Sequence, residues 1–218
     1  NRRGIWDLYR VICISGSANE HQKIPMIIRT KDGISYLLSE LLNKEGVVHG
    51  FFMRHGGCSP SPWKSLNMAT TVGDSHENVI ENRKRISKSL DIAFDRFYDV
   101  WQVHGNEVVV TANPRPTNQD HQQADAMTTD QRNVNLLMLF ADCVPVMVYD
   151  RVRQAVGIAH AGWRGTVTNV VGQLIKIMEA SFGTQAGDLV SVIGPCICQT
   201  HYEVRSDVAQ PAAAIYRN

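Results

Sequence analysis

His104, Cys143 and His160 have the side-chain types and settings to bind a transition metal together. His104 lies in Trp101-Gln102-Val103-His104-Gly105, and Cys143 in Ala141-Asp142-Cys143-Val144-Pro145. His160 opens the run His160-Ala161-Gly162-Trp163-Arg164-Gly165-Thr166. Each sits at a turn bordering an apolar stretch, where side chains can converge and still meet solvent. A thiolate and two imidazoles make a three-ligand set for a catalytic zinc, with a fourth position open to water or substrate. Zinc held this way lowers the pKa of a bound water toward neutrality. Ligands this far apart in sequence suit an enzymatic site built from separate turns rather than a compact structural clip; the alternative is that Cys143 is a small buried hydrophobe and the histidines are satisfied core or turn residues. The same atoms allow a metal-free alternative, with Cys143 as nucleophile, a histidine as base and Asp142 as orienter. Neighbours in an extended strand point to opposite faces, so Asp142 fills that role only if a turn redirects it.

Copper also binds Cys and His, and Met138 or Met147 offers an axial ligand for a blue-copper arrangement. A three-domain multicopper oxidase needs a trinuclear cluster held by many histidines, some as His-x-His pairs. With eight histidines and no such pair, that architecture is excluded. His21, His76, His121 and His201 lie in polar or terminal surroundings and carry no chemical argument.

Two basic turns add anion chemistry. In Gly162-Trp163-Arg164-Gly165-Thr166, amides at a helix start and the Arg164 guanidinium suit phosphate. The bland alternative is a tight strand–helix turn with Trp163 in the core. No GxxxxGK[ST] occurs, so this is not a P-loop. In Arg54-His55-Gly56-Gly57 the glycines allow close ligand approach and Arg54 suits an oxyanion; the alternative is a solvated loop arginine.

The elements that must position these residues follow from periodicity. Apolar spacing predicts helices over 34–44, 77–90 (capped by Asp74 or Ser75) and 166–182, the last ended by Gly183, with a further helix beginning within 203–218. Strands are predicted over 47–53, 97–101, 107–111 and 189–193. The runs 134–140, 144–149 and 155–159 read as neighbouring strands. Residues 54–62 and 113–123 read as loops. Adjacent strand runs mixed with strand–helix alternation predict a mixed rather than purely parallel sheet.

At 218 residues and 44% hydrophobic, the chain can bury a core, and one domain is expected. Its net charge of +1 is scattered, so neither a nucleic-acid nor a membrane surface is expected. No apolar run approaches the roughly 18 residues needed to span a bilayer. Five cysteines, an odd count, do not read as a disulfide framework, and reduced thiols in a soluble cytoplasmic protein are expected. Residues 1–25 read as an N-terminal extension, a fragment of an upstream reading frame, or an edge strand around Leu8 to Ile14.

Several motifs form one ordered series: His49-Gly50-Phe51-Phe52-x-Arg54-x-Gly56-Gly57-x-Ser59, Leu66-Asn67 with Gly73-Asp74, Gln102-Val103-His104-Gly105, and Ala124-Asp125-Ala126. Ala141-Asp142-Cys143-Val144-Pro145, Gly157 to Gly165, and Ile193-Gly194-Pro195-Cys196-Ile197 with Tyr202-Glu203-Val204 continue it. Over about Val47 to Val204 the chain resembles the YfiH-type family, also known as laccase-domain or purine nucleoside phosphorylase proteins. The resemblance implies a fold of the α/β (α+β) class: a single layered domain with mixed β-sheets flanked by helices in an α/β/β/α-type arrangement. It implies a domain over 26–218, incomplete at its C-terminal end because family members continue past the helix begun at Tyr202. It implies a metal site at His104, Cys143 and His160, holding Zn2+ or, for members described as polyphenol oxidases, Cu2+. The implied activity is phosphorolysis of purine nucleosides (adenosine, inosine, guanosine and methylthioadenosine) by phosphate, with deamination of adenosine. A bacterial branch is linked to editing of peptidoglycan precursors. Catalytic roles fall to His104, Cys143, His160 and Asp142, and substrate binding to His49, Arg54, Gln102 and Arg164. Oligomeric state is left open.

Overall fold

The computed structural model describes residues 26–216 and is a mixed α/β structure in which several sheets are flanked by helices. Residues 1–25, read as an extension, an upstream fragment or an edge strand around Leu8 to Ile14, lie outside the described residues.

The first departure from expectation is at 34–44. Strands β1 (Met26–Lys31) and β2 (Ile34–Ser39) form an antiparallel hairpin, and only α1 (Glu40–Lys44) is helical. The cause is the Asp32-Gly33 turn, both residues at positive φ (51° and 78°), the geometry that a two-residue hairpin demands. Ser39 then ends the strand and caps α1 by accepting from the Leu42 amide at 3.5 Å. Of the strand expected over 47–53, only β3 (Phe51–Phe52) forms, pairing with β2, and Val48 is left exposed.

Helix α2 (His76–Ser89) follows the expected pattern, with Ser75 accepting from the Asn78 amide at 3.2 Å. It also anchors the long loop before it. Asn82 bonds the Cys58 amide, the Ser59 hydroxyl and the Asn67 carbonyl, while Asp74 accepts from Ser59, Asn67 and Asn78.

Five strands form the central sheet, in the order β10-β8-β9-β6-β5: β5 (Val108–Val110), β6 (Ala126–Thr129), β8 (Val144–Asp150), β9 (Val156–Ala161) and β10 (Leu189–Ile193). Only β5–β6 is parallel, so the sheet is mixed. The expectation that 134–140 would join 144–149 is overturned. Instead β7 (Asn135–Leu137) pairs in parallel with β4 (Phe97–Asp99) as a separate two-stranded sheet. Strand β6 had no sequence signal because all four of its residues are buried, two being threonines, and no alternation survives.

Side-chain alternation gives the sheet two apolar faces. Ala126, Val146, Val148 and Ala159 pack with Val170, Leu174 and Met178 of α4 (Val170–Phe182). Met127 and Ile158 face the other way, toward Tyr98, Val134 and Met138. Gly157 permits close helix–sheet contact, since a Cβ there would lie 2.8 Å from Val148 Cγ2 and 3.1 Å from the Leu174 methyls. The helix expected over 166–182 is broken into α3 (Trp163–Val167) and α4. Asn169, at φ 60°, breaks it and restarts the chain as the cap of α4, accepting from the Gly172 amide at 3.1 Å. Gly183 ends α4 at φ 72°, and α5 (Ser206–Tyr216) follows β10. No helix among the described residues is long and apolar enough to cross a membrane.

Candidate metal centre

Register brings the site together at one end of the inner strands of the central sheet. Val144 of β8 pairs with Ala161 of β9, so Cys143 falls opposite Gly162, just past the strand end. Ala126 of β6 pairs with Ala159, so Asp125 falls opposite His160, whose amide donates to the Asp125 carbonyl at 2.7 Å. The Asp125 amide donates to the Glu107 carbonyl at 3.1 Å, which ties in the turn that carries His104 and leads into β5.

One ligand atom each from His104, Cys143 and His160 all lie within 4.8 Å of one another. His104 is exposed, Cys143 half-buried and His160 buried, so the group opens on one side. The two imidazoles meet edge to face with centroids 4.8 Å apart, and the Phe140 ring lies 5.5 Å from His160. In tetrahedral zinc coordination such donors stand about 3.5 Å apart, so small side-chain shifts close this set on an ion. Gly162 leaves the needed room. A Cβ there would stand 3.1 Å from the Cys143 Sγ and 3.1 Å from His104 Cδ2. The donors present therefore fit zinc, and their N₂S composition also suits copper.

Asp125, quoted in a motif but given no role by the sequence, is the hub of this geometry. Its buried carboxylate sits 2.7 Å from His160 Nδ1 and accepts from the Val103 amide at 3.0 Å and the Gly105 amide at 2.7 Å. The signal that could have found it is an acidic residue wedged between alanines at a strand start. His104 and Asp142 both hold positive φ, 60° and 76°, conformations that non-glycine residues adopt mainly where the surroundings enforce them.

Electrostatics favour a neutral His160 and a protonated thiol. Burial lowers the His160 pKa, helped by His104 and opposed by Asp125. Burial pushes the Cys143 thiol up, as do Asp142, Asp125 and Cys196. That is the reverse of what a metal-free cysteine nucleophile requires, whereas a cation in the pocket would favour the thiolate.

The four expected substrate-binding residues divide. His49 is buried, its Nε2 accepting from the Ser39 amide at 2.9 Å and its Nδ1 donating to the Val47 carbonyl at 2.8 Å. Both amide ends of Gln102 clasp the Leu139 backbone, each at 2.8 Å. In both residues these side-chain polar atoms hold turns of the chain. Arg164 stays exposed on the first turn of α3, two residues from Gly162, its guanidinium 5.1 Å from the Trp163 ring. Arg54 is exposed, donating one bond to the Lys64 carbonyl at 2.9 Å. Helix α3 has only 5 residues, so its dipole is small beside the charge of the Arg164 guanidinium. Asp142 is exposed beside Cys143, its carbonyl accepting from the Ile197 amide at 2.9 Å.

Residues 48–217 match the family described as multi-copper polyphenol oxidoreductase laccase. The chain is 34% identical over 179 residues to the purine nucleoside phosphorylase YlmD of Bacillus subtilis, covering 79% of this chain and 64% of that protein. It is 36% identical over 165 residues to the protein of the same name from Geobacillus stearothermophilus, covering 73% and 60%. The chain thus spans less than two thirds of the length of either relative. The crystal structure of YlmD from Geobacillus stearothermophilus superposes with a TM-score of 0.79 at 31% identity, over 87% of this chain and 72% of that one.

Proposed function

This chain belongs to the multi-copper polyphenol oxidoreductase laccase family, and from that premise we propose that it is a zinc-dependent purine nucleoside phosphorylase that also deaminates adenosine. The observation that carries the proposal is the convergence of His104, Cys143 and His160 within 4.8 Å. The reaction class comes from relatives named purine nucleoside phosphorylase. The proposed substrates are adenosine, inosine, guanosine and methylthioadenosine, with phosphate as co-substrate. Zinc is favoured over a multicopper centre because, among the described residues, a single group of such donors is found. When bound, zinc supplies Lewis acidity and, for deamination, an activated water.

The chain's own residues do the rest. Arg164, beside the Gly162 turn, binds the phosphate dianion, and Arg54 offers further N–H donors to the same anion. A phosphate oxygen bonds to the anomeric carbon as the bond to the purine nitrogen breaks, and the base leaves with a proton. Asp142, exposed next to Cys143, moves that proton and those of the deamination step. Free thiols at Cys58, Cys143, Cys196 and Cys198 agree with a cytoplasmic site of action.

The test is mass-spectrometric product analysis of zinc-loaded protein with adenosine, with and without phosphate, beside a Cys143→Ala control. Phosphate-dependent adenine and ribose 1-phosphate, absent in the variant, are the expected result; inosine formed without phosphate reports deamination. Phenol-dependent oxygen uptake by copper-loaded protein in place of these products would establish the oxidase. No turnover by folded, metal-bound protein would leave a metal-binding role without catalysis.

A further inference from the structure

We infer that Asp125 is the positioning residue of this centre, its two carboxylate oxygens separately setting the tautomer of His160 and the place of His104. Oδ1 lies 2.7 Å from His160 Nδ1. A carboxylate only accepts, so the ring proton belongs on Nδ1, which leaves the Nε2 lone pair for a ligand. Oδ2 accepts from the amides on either side of His104, Val103 at 3.0 Å and Gly105 at 2.7 Å. Those two bonds hold the turn in which His104 takes φ 60°. Both histidines therefore answer to one buried side chain just before β6. His160 is fixed through its proton and His104 through its backbone. The inference rests on the metal-centre reading for its consequence, though not for the tautomer itself.

Asp125→Asn separates the two tasks. The asparagine oxygen takes the place of Oδ2 and keeps both amide bonds, because the flipped side chain would set its NH₂ against two N–H donors. Its NH₂ then faces His160 Nδ1, which must accept, and the ring proton moves to Nε2 and points into the donor group. The turn survives while the ligand lone pair is lost.

Two readouts test this. Imidazole ¹⁵N shifts of metal-free protein should show His160 protonated at Nδ1 in the wild type and at Nε2 in Asp125→Asn. Zinc affinity, measured by competition with a chromophoric chelator, should fall about 10- to 100-fold in the variant, the range for lost partners of metal-bound histidine. The thermal midpoint of the metal-free variant should stay near that of the wild type, which a merely structural role would not allow. A variant that binds zinc within about twofold of the wild type, or an unchanged His160 tautomer, overturns the inference. Should Asp125→Asn fail to fold, the wild-type ring decides by itself, and protonation at Nε2 there refutes the assignment. Wild-type protein that binds no zinc would sink the metal reading and leave the tautomer result standing.

Discussion

Replacing Gly162 with alanine places a methyl carbon 3.1 Å from the Cys143 Sγ, 3.1 Å from His104 Cδ2 and 3.8 Å from His160 Cε1. Ordinary contacts between such atoms fall at about 3.5–4.0 Å, so the thiol and the His104 ring must each retreat by roughly 0.5 Å. Metal–ligand distances tolerate only about 0.2 Å, so the displaced set should bind zinc at least about tenfold more weakly, ~1.4 kcal/mol. The backbone itself is indifferent, since Gly162 has φ −67° and ψ 172°, which alanine adopts freely. Removing a glycine from the unfolded chain stabilises by about 0.4–1 kcal/mol. Alanine is a poorer helix cap than glycine by a comparable amount, on the order of 0.5–1 kcal/mol. The two offset, so fold stability should change by less than about 0.5 kcal/mol. Thermal unfolding of metal-free protein and zinc competition titration measure the two quantities side by side. Gly162→Ala protein with wild-type zinc affinity and wild-type stability would refute the idea that these three side chains close on one ion at this glycine.

Other outcomes follow from the same structure. Cys198 is half-buried, with hydrogen bonds to Thr200 at 3.1 Å and His201 at 2.8 Å that hold its thiol at about 7. Among the described cysteines it should alkylate first with iodoacetamide, with a rate half-maximal near that pH; peptide mapping that places the early label on Cys58, Cys143 or Cys196 would refute this. Asp99 is a buried carboxylate bonded by Arg83 at 2.8 Å and Arg115 at 2.7 Å, with His121 at 3.2 Å. Asp99→Asn leaves two guanidinium groups without a countercharge and should cost about 3 kcal/mol, a fall in thermal midpoint of roughly 6–12 °C; a shift under about 2 °C would show the cluster to be dispensable. Burial opposes ionisation of Asp74, yet hydrogen bonds from Asn67, Asn78, Ser59 and the Ser75 amide hold its carboxyl at about 2. Because that value lies below the unfolded one of about 3.9, its contribution is complete above pH ~4 and is lost as pH falls toward 2. Asp74→Asn should therefore flatten the acid limb of a urea-unfolding pH series in that window, and an unchanged limb would place the stabilisation elsewhere.

The sequence by itself marked three side chains able to hold a metal together, and where several elements lie. His104, Cys143 and His160 stood out because thiol and imidazole groups in strand-end turns are a small set in any chain. Helix α2 was legible from Ser75 and the spacing of Val79 and Ile86, and strands β8, β9 and β10 from short apolar runs between breakers. These signals are local, written in residues that lie within a turn or a strand of one another.

Tertiary structure decided what depends on a partner distant in sequence. The apolar residues of 34–44 suit a helix face and a strand equally, and the Asp32-Gly33 hairpin chose the strand. Runs that looked contiguous, β7 and β8, were sent to different sheets, and β6 gave no alternation because both of its faces are covered. His49 and Gln102 were picked out by their place in a motif, and only the fold showed them bonding backbone groups at Ser39, Val47 and Leu139. Asp125 gained its role only when β6 paired with β9 and set it opposite His160. Strand register is settled by contacts between segments tens of residues apart, and it assigns partners to side chains whose identity the local sequence had already made plain.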